Sequence, residues 1–482
     1  MANMSVPVLP PELLHIIFAN LKNHADIYSL CLVSKYFYTI ALRFLYRRLK
    51  IPHRTSGKLV TPLHAVLTPQ QQERLLRFSA GREDGSVRRS MKGSGSSKDL
   101  SDCGEFVREF EVAPLVGTAE EVSEIRKEII ESAIENMCYL ESFAWNTSDP
   151  QGPRRTSRIS ATHRRASSTA DYDIIYKILK TSAGTLKSLS LITEGGQAHY
   201  EDEILLFGGG VSEEPPEGMR ITRLGRLESL TLVGRRITVK RLEVFTQAIN
   251  FNNLRCLEIV FCDGEPGKGG ERASEGENKI FPNLRTFRVK ATQSSVTKFL
   301  QCFRGLQDLH YELECDPTDW TAPGGNRRQV SSIRISRDLL EAITTYHGNT
   351  LRRLTVLSFD QLKVIDEPGM KIITGKCRVL EKLCCPVLES SFSGQPAVTH
   401  VPSLTTFHLH LQTLVEESKA YEIIQKILKQ ISGLKTVRML AGRDRTKAFA
   451  FRVCPDGVVE SFPDGRFLKR GVEGWEVWGL EV

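Results

Sequence analysis

No stretch of the 482 residues holds the roughly 20 uninterrupted apolar residues needed to cross a bilayer. The opening Met1-Ala2-Asn3-Met4 has no basic run of the kind that begins a secretory leader, so the chain is expected in the cytosol or nucleus, without a membrane partner. Its 11 cysteines contain no Cys-x-x-Cys pair, and the adjacent Cys384 and Cys385 are spaced unlike zinc ligands. They read as reduced, buried small hydrophobes, and no metal is expected. There is no P-loop, no G-x-S-x-G and no H-E-x-x-H, and the 11 histidines do not fall beside carboxylates at a telling spacing. Gly208-Gly209-Gly210 lacks the following lysine and the framing strand and helix of a phosphate loop. Neither a catalytic site nor a cofactor is expected. A net charge of +8, from 65 basic against 57 acidic residues, is too small and too dispersed for a nucleic-acid binder.

What the chain does have is 40% hydrophobic and 25% charged residues, enough apolar material for more than one core. The first fifty residues hold more of it than so short a segment can bury. Pro11 suits a first helical position and Glu12 the positive helix end, and the apolar run then continues to Leu21. Leu13, Leu14, Ile16, Ile17, Phe18 and Leu21 spread over roughly 200° of the helix circumference, about twice the stripe one core requires. Two partners are implied. Asp26 is placed to cap a second helix with Ile27, Leu30 and Cys31, and Ser34 a third with Phe37, Ala41, Phe44 and Leu45. Arg43, Arg47, Arg48 and Lys50 crowd the end of that helix, where cations complement the negative end of the macrodipole.

The string L-P-x-E-L-L-x-x-I-F-x-x-L, a gap, then D-I-x-x-L-C-L-V-S-K-x-F-x-x-x-A-x-x-x-L-Y-R-x-L resembles the F-box in its fungal form. That resemblance implies docking onto the Skp-type adaptor of SCF (Skp, cullin, F-box) ubiquitin ligases, and through it onto cullin. The family's adaptor-binding surface falls here on Leu9, Pro10, Leu13, Ile17, Leu30, Val33, Ser34 and Phe37, the last replacing a commoner tryptophan. The alternative is an ordinary helical cap folded onto the rest of the chain.

Past residue 119 the sequence keeps returning to L-x-x-L-x-L or a near variant. Units begin at Leu186, Leu227, Leu254, Leu284, Leu306, Leu351, Leu380, Leu404 and Leu434, with a weaker first copy at Leu140, Phe143 and Trp145. In each, the last two apolar positions lie two apart, so a short strand points both inward while the first leucine anchors the preceding turn. Helix candidates between strands are 239–249, 295–303, 337–346 and 421–431. A strand plus a helix per unit resembles the leucine-rich repeats that often follow an F-box, and Cys262 stands where cysteine-type repeats keep theirs. Start-to-start spacing drifts, from Leu284–Leu306 in the shortest case to Leu140–Leu186 in the longest. The expected fold is α/β: an N-terminal three-helix F-box followed by an irregular leucine-rich-repeat solenoid, with a plain α/β domain as the alternative.

The domain plan is then an F-box at 5–50, a linker with a disordered loop at 51–118, the solenoid at 119–442 and a C-terminal β cap at 443–482. Insertions at 146–170, 208–218, 264–278 and 316–328 are rich in Gly, Pro, Ser or charge and too poor in large apolar residues to offset their ordering entropy. Paired arginines precede Ser90, Ser157 and Ser167, the arrangement basophilic kinases require, though Ser/Arg-rich linkers produce it by chance as well. In the tail, Pro-Asp-Gly turns at 455–457 and 463–465 between apolar runs indicate short antiparallel strands covering the open end.

The function expected is that of a substrate-recognition subunit of an SCF-type ubiquitin ligase, catalysing by proximity alone. The alternative is a repeat scaffold that binds the adaptor without directing ubiquitylation. Residues alternating with the inward leucines would meet the substrate, an unidentified protein: Arg288, Lys290, Asp308, His310, Glu312, Arg353, Lys382, His408, His410 and Arg438. Their mixed polar character suits a charged peptide better than a greasy ligand.

Overall fold

A computed structural model describes residues 9–21, 23–51, 67, 103–112, 130, 133–146, 175, 177–192, 223–233, 249–260, 281–313, 334–358, 364–388, 401–411, 415–431, 433–441, 447–453 and 459–462. Two compact units divide the chain, one of Met1–Leu227 with Val244–Asn250, the other of Glu228–Glu243 with Phe251–Val482.

The first unit opens with helices α1 (Pro11–Ala19), α2 (His24–Cys31) and α3 (Lys35–Leu45). Pro11 begins α1, whose first amides turn back to the Pro10 carbonyl. Ser34 caps α3 by accepting from the Phe37 N–H at 3.2 Å, as its position predicts. The cap of α2 is not Asp26 but Asn23, which accepts from the Ala25 N–H at 3.0 Å. The helix starts one turn earlier than expected, and Asp26 is left in its first turn, where a carboxylate suits the dipole. Leu14, Phe18, Ile27, Ile40 and Ala41 form the core of this trio, and Leu21, Leu30, Cys31, Phe37, Phe44 and Leu45 close around it.

Strands β1 (Arg48–Ile51), β2 (Glu109–Val112), β3 (Ser142–Asn146) and β4 (Ser188–Ile192) follow, each parallel to its neighbour in chain order. The sheet therefore begins inside the stretch read as linker: β1 and β2 both precede residue 119. Val107, Phe110 and Val112, all buried, repeat the L-x-x-L-x-L spacing with other apolar residues.

The second unit continues the pattern with β5 (Ser229–Val233), β6 (Cys256–Val260), β7 (Thr286–Ala291), β8 (Asp308–Leu313), β9 (Arg353–Ser358), β10 (Lys382–Val387), β11 (Thr406–Leu411) and β12 (Thr436–Ala441), all parallel in chain order. Helices α4 (Gln293–Gln301), α5 (Arg337–His347), α6 (Glu367–Lys376) and α7 (Glu417–Gln430) are interleaved with them. Three match expected helices to within a few residues, while α6 was not anticipated. The candidate at 239–249 lies outside the described residues except Ile249, which forms an isolated bridge with Leu224.

Every predicted anchor, from Leu140 and Leu186 through Leu434, is buried, and so are the two inward positions of each strand. Complete burial of such a side chain contributes about 1.5–3 kcal/mol, which makes these rows the main support of the sheet. Backbone bonds hold the rows in register. The carbonyl just before one strand accepts the N–H groups of two consecutive residues at the start of the next: Arg255 from Arg285 and Thr286, Arg285 from Gln307 and Asp308, and so through Thr405 to Lys435 and Thr436, at 2.8–3.1 Å. The same arrangement joins Arg47, Arg108, Glu141 and Lys187 in the first unit. Gly305, at φ +89°, makes the turn into Leu306, where a side chain would strain the backbone. On the helical side, the Phe287 ring stacks on Phe299 of α4 at 4.7 Å, and Phe281, Phe303 and His347 extend the aromatic contact.

Two antiparallel strands follow β12. Strand β13 (Lys447–Val453) pairs antiparallel with β12, and β14 (Val459–Phe462) antiparallel with β13. The exposed edge of β12 is thereby occupied by the chain itself. Both Pro-Asp-Gly turns lie outside the described residues, as do Ser90, Ser157, Ser167 and Cys262.

Candidate functional site: an open helical flank and a polar sheet face

Two surfaces draw on the residues singled out above. The first is on the helical trio. Because α1 is apolar around most of its girth, only Leu14 and Phe18 reach the core, and Leu13, Ile16 and Ile17 remain 46–60% exposed. Leu9 precedes them and Leu32 and Val33 follow α2, at 47%, 71% and 64% exposure. Of the eight adaptor residues expected, Leu9, Pro10, Leu13, Ile17, Val33 and Ser34 stand exposed, Ser34 with its hydroxyl engaged in capping. Leu30 and Phe37 are half-buried against the core. Ile16, Leu32 and Tyr28 extend the exposed apolar surface and were missed; the unbroken apolar run Leu30-Cys31-Leu32-Val33 was the signal for Leu32. The Tyr36 hydroxyl donates to the Leu9 carbonyl at 3.3 Å and so holds the leading segment against α3.

The basic residues at the end of α3 have structural partners. The Arg43 guanidinium lies over the Phe106 ring at 5.7 Å, and Arg48 and Lys50 pair with Glu111. Burial pushes the Glu111 carboxyl up, but Lys50 and Arg48 outweigh it and hold the group below its ordinary range. A cleft of about 410 Å³ opens beside them, lined by His15, Arg47, Arg108 and Tyr139 among others.

The second surface is the sheet face turned away from the helices in the second unit. Cross-strand register sets Arg288 beside His310, Lys290 beside Glu312, Asp308 beside Arg353, Arg353 beside Lys382, and His408 beside Arg438. Arg353 grips Asp308 with both arms of its guanidinium, a contact that raises the pKa of Arg353, and Lys290 pairs with Glu312. Glu258, absent from the expected set, lies 4.0 Å from Arg288 and accepts from the Thr231 hydroxyl at 3.3 Å. Burial pushes its carboxyl up against the pull of both partners. Its position between the inward Leu257 and Ile259 was the available signal.

The face is less open than alternation alone suggests. His310, Glu312 and His410 are buried, as are Leu357 and Leu440 in the outermost row. Each of the three polar residues lies between two neighbours in its rung, His310 between Arg288 and Thr355, Glu312 between Lys290 and Leu357, and His410 between Pro386 and Leu440. Side chains so close across strands cover one another. Burial, with Arg288 adding to it, lowers the His310 pKa to about 3; burial, then Arg438 and Lys382, does the same to His408. Both imidazoles are neutral at pH 7. Arg288, Lys290, Asp308, Arg353, Lys382, His408 and Arg438 keep access to solvent.

Among the described residues, no group of three or more His, Cys, Asp or Glu is placed to hold a metal ion, and no helix is long and apolar enough to cross a membrane. A helical trio with one open flank, followed by strand-and-helix units built on rows of leucine, defines a small helical domain ahead of a leucine-rich-repeat-like array. Comparison with known families agrees for the first part: residues 6–52 match the F-box-like model, and the N-terminal module is an F-box-like domain. A solved structure described as "Crystal structure of Rad7 and Elc1 complex in yeast" is similar over 89% of this chain and 87% of that chain, at 13% identity and a TM-score of 0.39. No curated protein matches the chain.

Proposed function

We propose that the chain is the substrate-recognition subunit of an SCF-type ubiquitin ligase, held by a Skp-type adaptor through the F-box-like domain and holding a protein substrate on its repeat units. The observation that carries this reading is the exposed flank of Leu9, Leu13, Ile16, Ile17, Leu32 and Val33, on a domain whose other side is a finished core. Large apolar side chains left in water together on so small a domain are a cost unless a partner covers them. The repeat units then need only affinity and geometry, since raising the local concentration of a substrate lysine near a thioester carried by another subunit accelerates transfer without a nucleophile of their own.

Copurification tests it. The intact protein should bring down both adaptor and cullin, and Leu13→Asp with Ile17→Asp should abolish both. Adaptor without cullin would favour a scaffold that does not direct ubiquitylation, and neither would overturn the reading. Proximity labelling with and without proteasome inhibition would then identify the substrate, which should accumulate only when degradation is blocked.

A further inference from the structure

In the first unit, Arg47 and Arg108 stand side by side at the entries to β1 and β2. The Arg47 carbonyl accepts from the Arg108 N–H at 2.8 Å, so the two residues hold the same station on neighbouring strands, about 5 Å apart at the backbone. Like charges so placed repel each other. Both residues, with Arg43, line the cleft of about 410 Å³ described above. Aromatic rings hold two of the three: Arg43 lies over Phe106 at 5.7 Å, and Arg108 over Tyr139 at 5.1 Å. Such stacking takes up the flat face of a guanidinium and leaves its in-plane N–H groups for an acceptor. Arg108 directs its Nη1 to the carbonyls of Glu105 and Val107, at 2.5 and 3.4 Å. Two carboxylates share the lining. Glu141, the next residue in the row, is matched by Lys187, which follows it, at 3.0 Å. That leaves Glu105 against three arginines among the described residues of the cleft.

We infer that this cleft is an anion-binding site, and that it takes a phosphoryl group, carried on a phosphorylated side chain or present as free phosphate. An arginine fork matches two oxygens of a carboxylate or a phosphate. A carboxylate has only those two, whereas a phosphate monoester offers three terminal oxygens and close to two negative charges at neutral pH, enough to be shared among several forks. An anion between Arg47 and Arg108 relieves their repulsion. The rings of Phe106 and Tyr139 fix the planes of the two guanidinia they hold, so less ordering remains to be done on binding. His15, which also lines the cleft, lies roughly 200° around α1 from both Leu13 and Ile17. The cleft and the apolar flank therefore occupy different sides of that helix, and one can be filled without displacing what covers the other. The site is independent of the receptor reading above.

Two fluorescein-labelled octapeptides of one sequence, with a central phosphoserine or a central serine, are titrated by fluorescence anisotropy against the full chain, and potassium phosphate by calorimetry at constant ionic strength. Where the group comes on a side chain, the phosphoserine peptide should bind at least about tenfold more tightly than the serine peptide, an advantage that shrinks at high salt. Where it comes as free phosphate, the calorimetric titration should saturate while the two peptides remain alike. In either case Arg47→Glu should abolish binding with its urea midpoint unchanged, because the side chain it replaces is exposed. Arg47→Lys, which keeps the charge and loses the fork, should weaken binding severalfold. Arg378→Glu, at an exposed position before β10, should leave it intact. Failure of both probes to bind, full binding by Arg47→Glu, or tighter binding of a thymidine octanucleotide than of the phosphoserine peptide would overturn the inference. Adaptor capture by the same preparation reports on the receptor reading alone: if capture persists while neither probe binds, only the anion site falls.

Discussion

Leu13 and Leu14 are chain neighbours of identical chemistry on one helix, and they should respond oppositely to the same truncation. Leu14 is 2% exposed within the core of the helical trio, so Leu14→Ala removes buried methyl groups and leaves a cavity, a loss of about 2–5 kcal/mol of folding stability. Leu13 is 47% exposed, and its truncation should change folding by no more than about 0.5 kcal/mol. Roughly half of its side-chain burial is still to be made. On a docked adaptor that remainder corresponds to about 0.8–1.5 kcal/mol, or about four- to thirteenfold in affinity. Urea unfolding followed by the circular dichroism of the full chain reads the first quantity, and titration of a purified Skp-type adaptor reads the second. Leu14→Ala should move the unfolding midpoint and Leu13→Ala the affinity. If Leu13→Ala unfolds the domain as readily as Leu14→Ala, or leaves adaptor affinity unchanged, the flank is not a docking surface.

Acidification should weaken the second unit through His347. Its Nδ1 accepts from the Leu306 N–H at 3.5 Å and its Nε2 lies 3.1 Å from the Leu300 carbonyl, while burial lowers its pKa to about 4. A histidine whose folded pKa lies below its unfolded value near 6.5 makes its full contribution above that value and loses it as pH falls toward 4, on the order of 2–3 kcal/mol in all. Urea midpoints at pH 7 and pH 5 should differ less in His347→Gln than in the wild type, and equal differences would refute the assignment. Gly104 offers a sharper structural check. A Cβ there would stand 2.6 Å from both the Cβ and the carbonyl oxygen of Asn136, so Gly104→Ala should cost about 1–3 kcal/mol, measured as a lowered melting temperature. An unchanged melting temperature would mean that the turn before β2 is not packed as described.

The leucine rows were legible because a strand that buries alternate residues leaves a period of two, and a buried anchor three positions earlier marks its turn. Val107, Phe110 and Val112 obey the same spacing and escaped notice for want of a leucine. Helix α6 escaped for a different reason: Pro368, Gly369 and Gly375 are residue types that ordinarily break helices, yet the proline falls in the first helical turn and Asp366 caps the segment through the Gly369 N–H at 2.9 Å. The F-box-like flank could be read as surplus apolar surface before any coordinates, since no single core can cover so wide a stripe. The covering of His310, Glu312 and His410 could not, because it depends on which rung each residue shares, and that is a property of pairing between segments distant in the chain.

Within the first compact unit from Arg47 to Lys187, and within the second from Glu228 to Thr436, each repeat offers its successor a single carbonyl with two lone pairs, and both are claimed by consecutive amides of the following strand. Alignment is thus set at one lip of the sheet, by a contact that is indifferent to how much polypeptide separates the donors from the acceptor. The stretch from Leu284 to Leu306 and the much longer one from Leu306 to Leu351 deliver their strands to identical stations. Lengthening or trimming any such interval leaves the order and facing of every later side chain untouched, so the polar surface and the tracts between strands are free to change independently of each other.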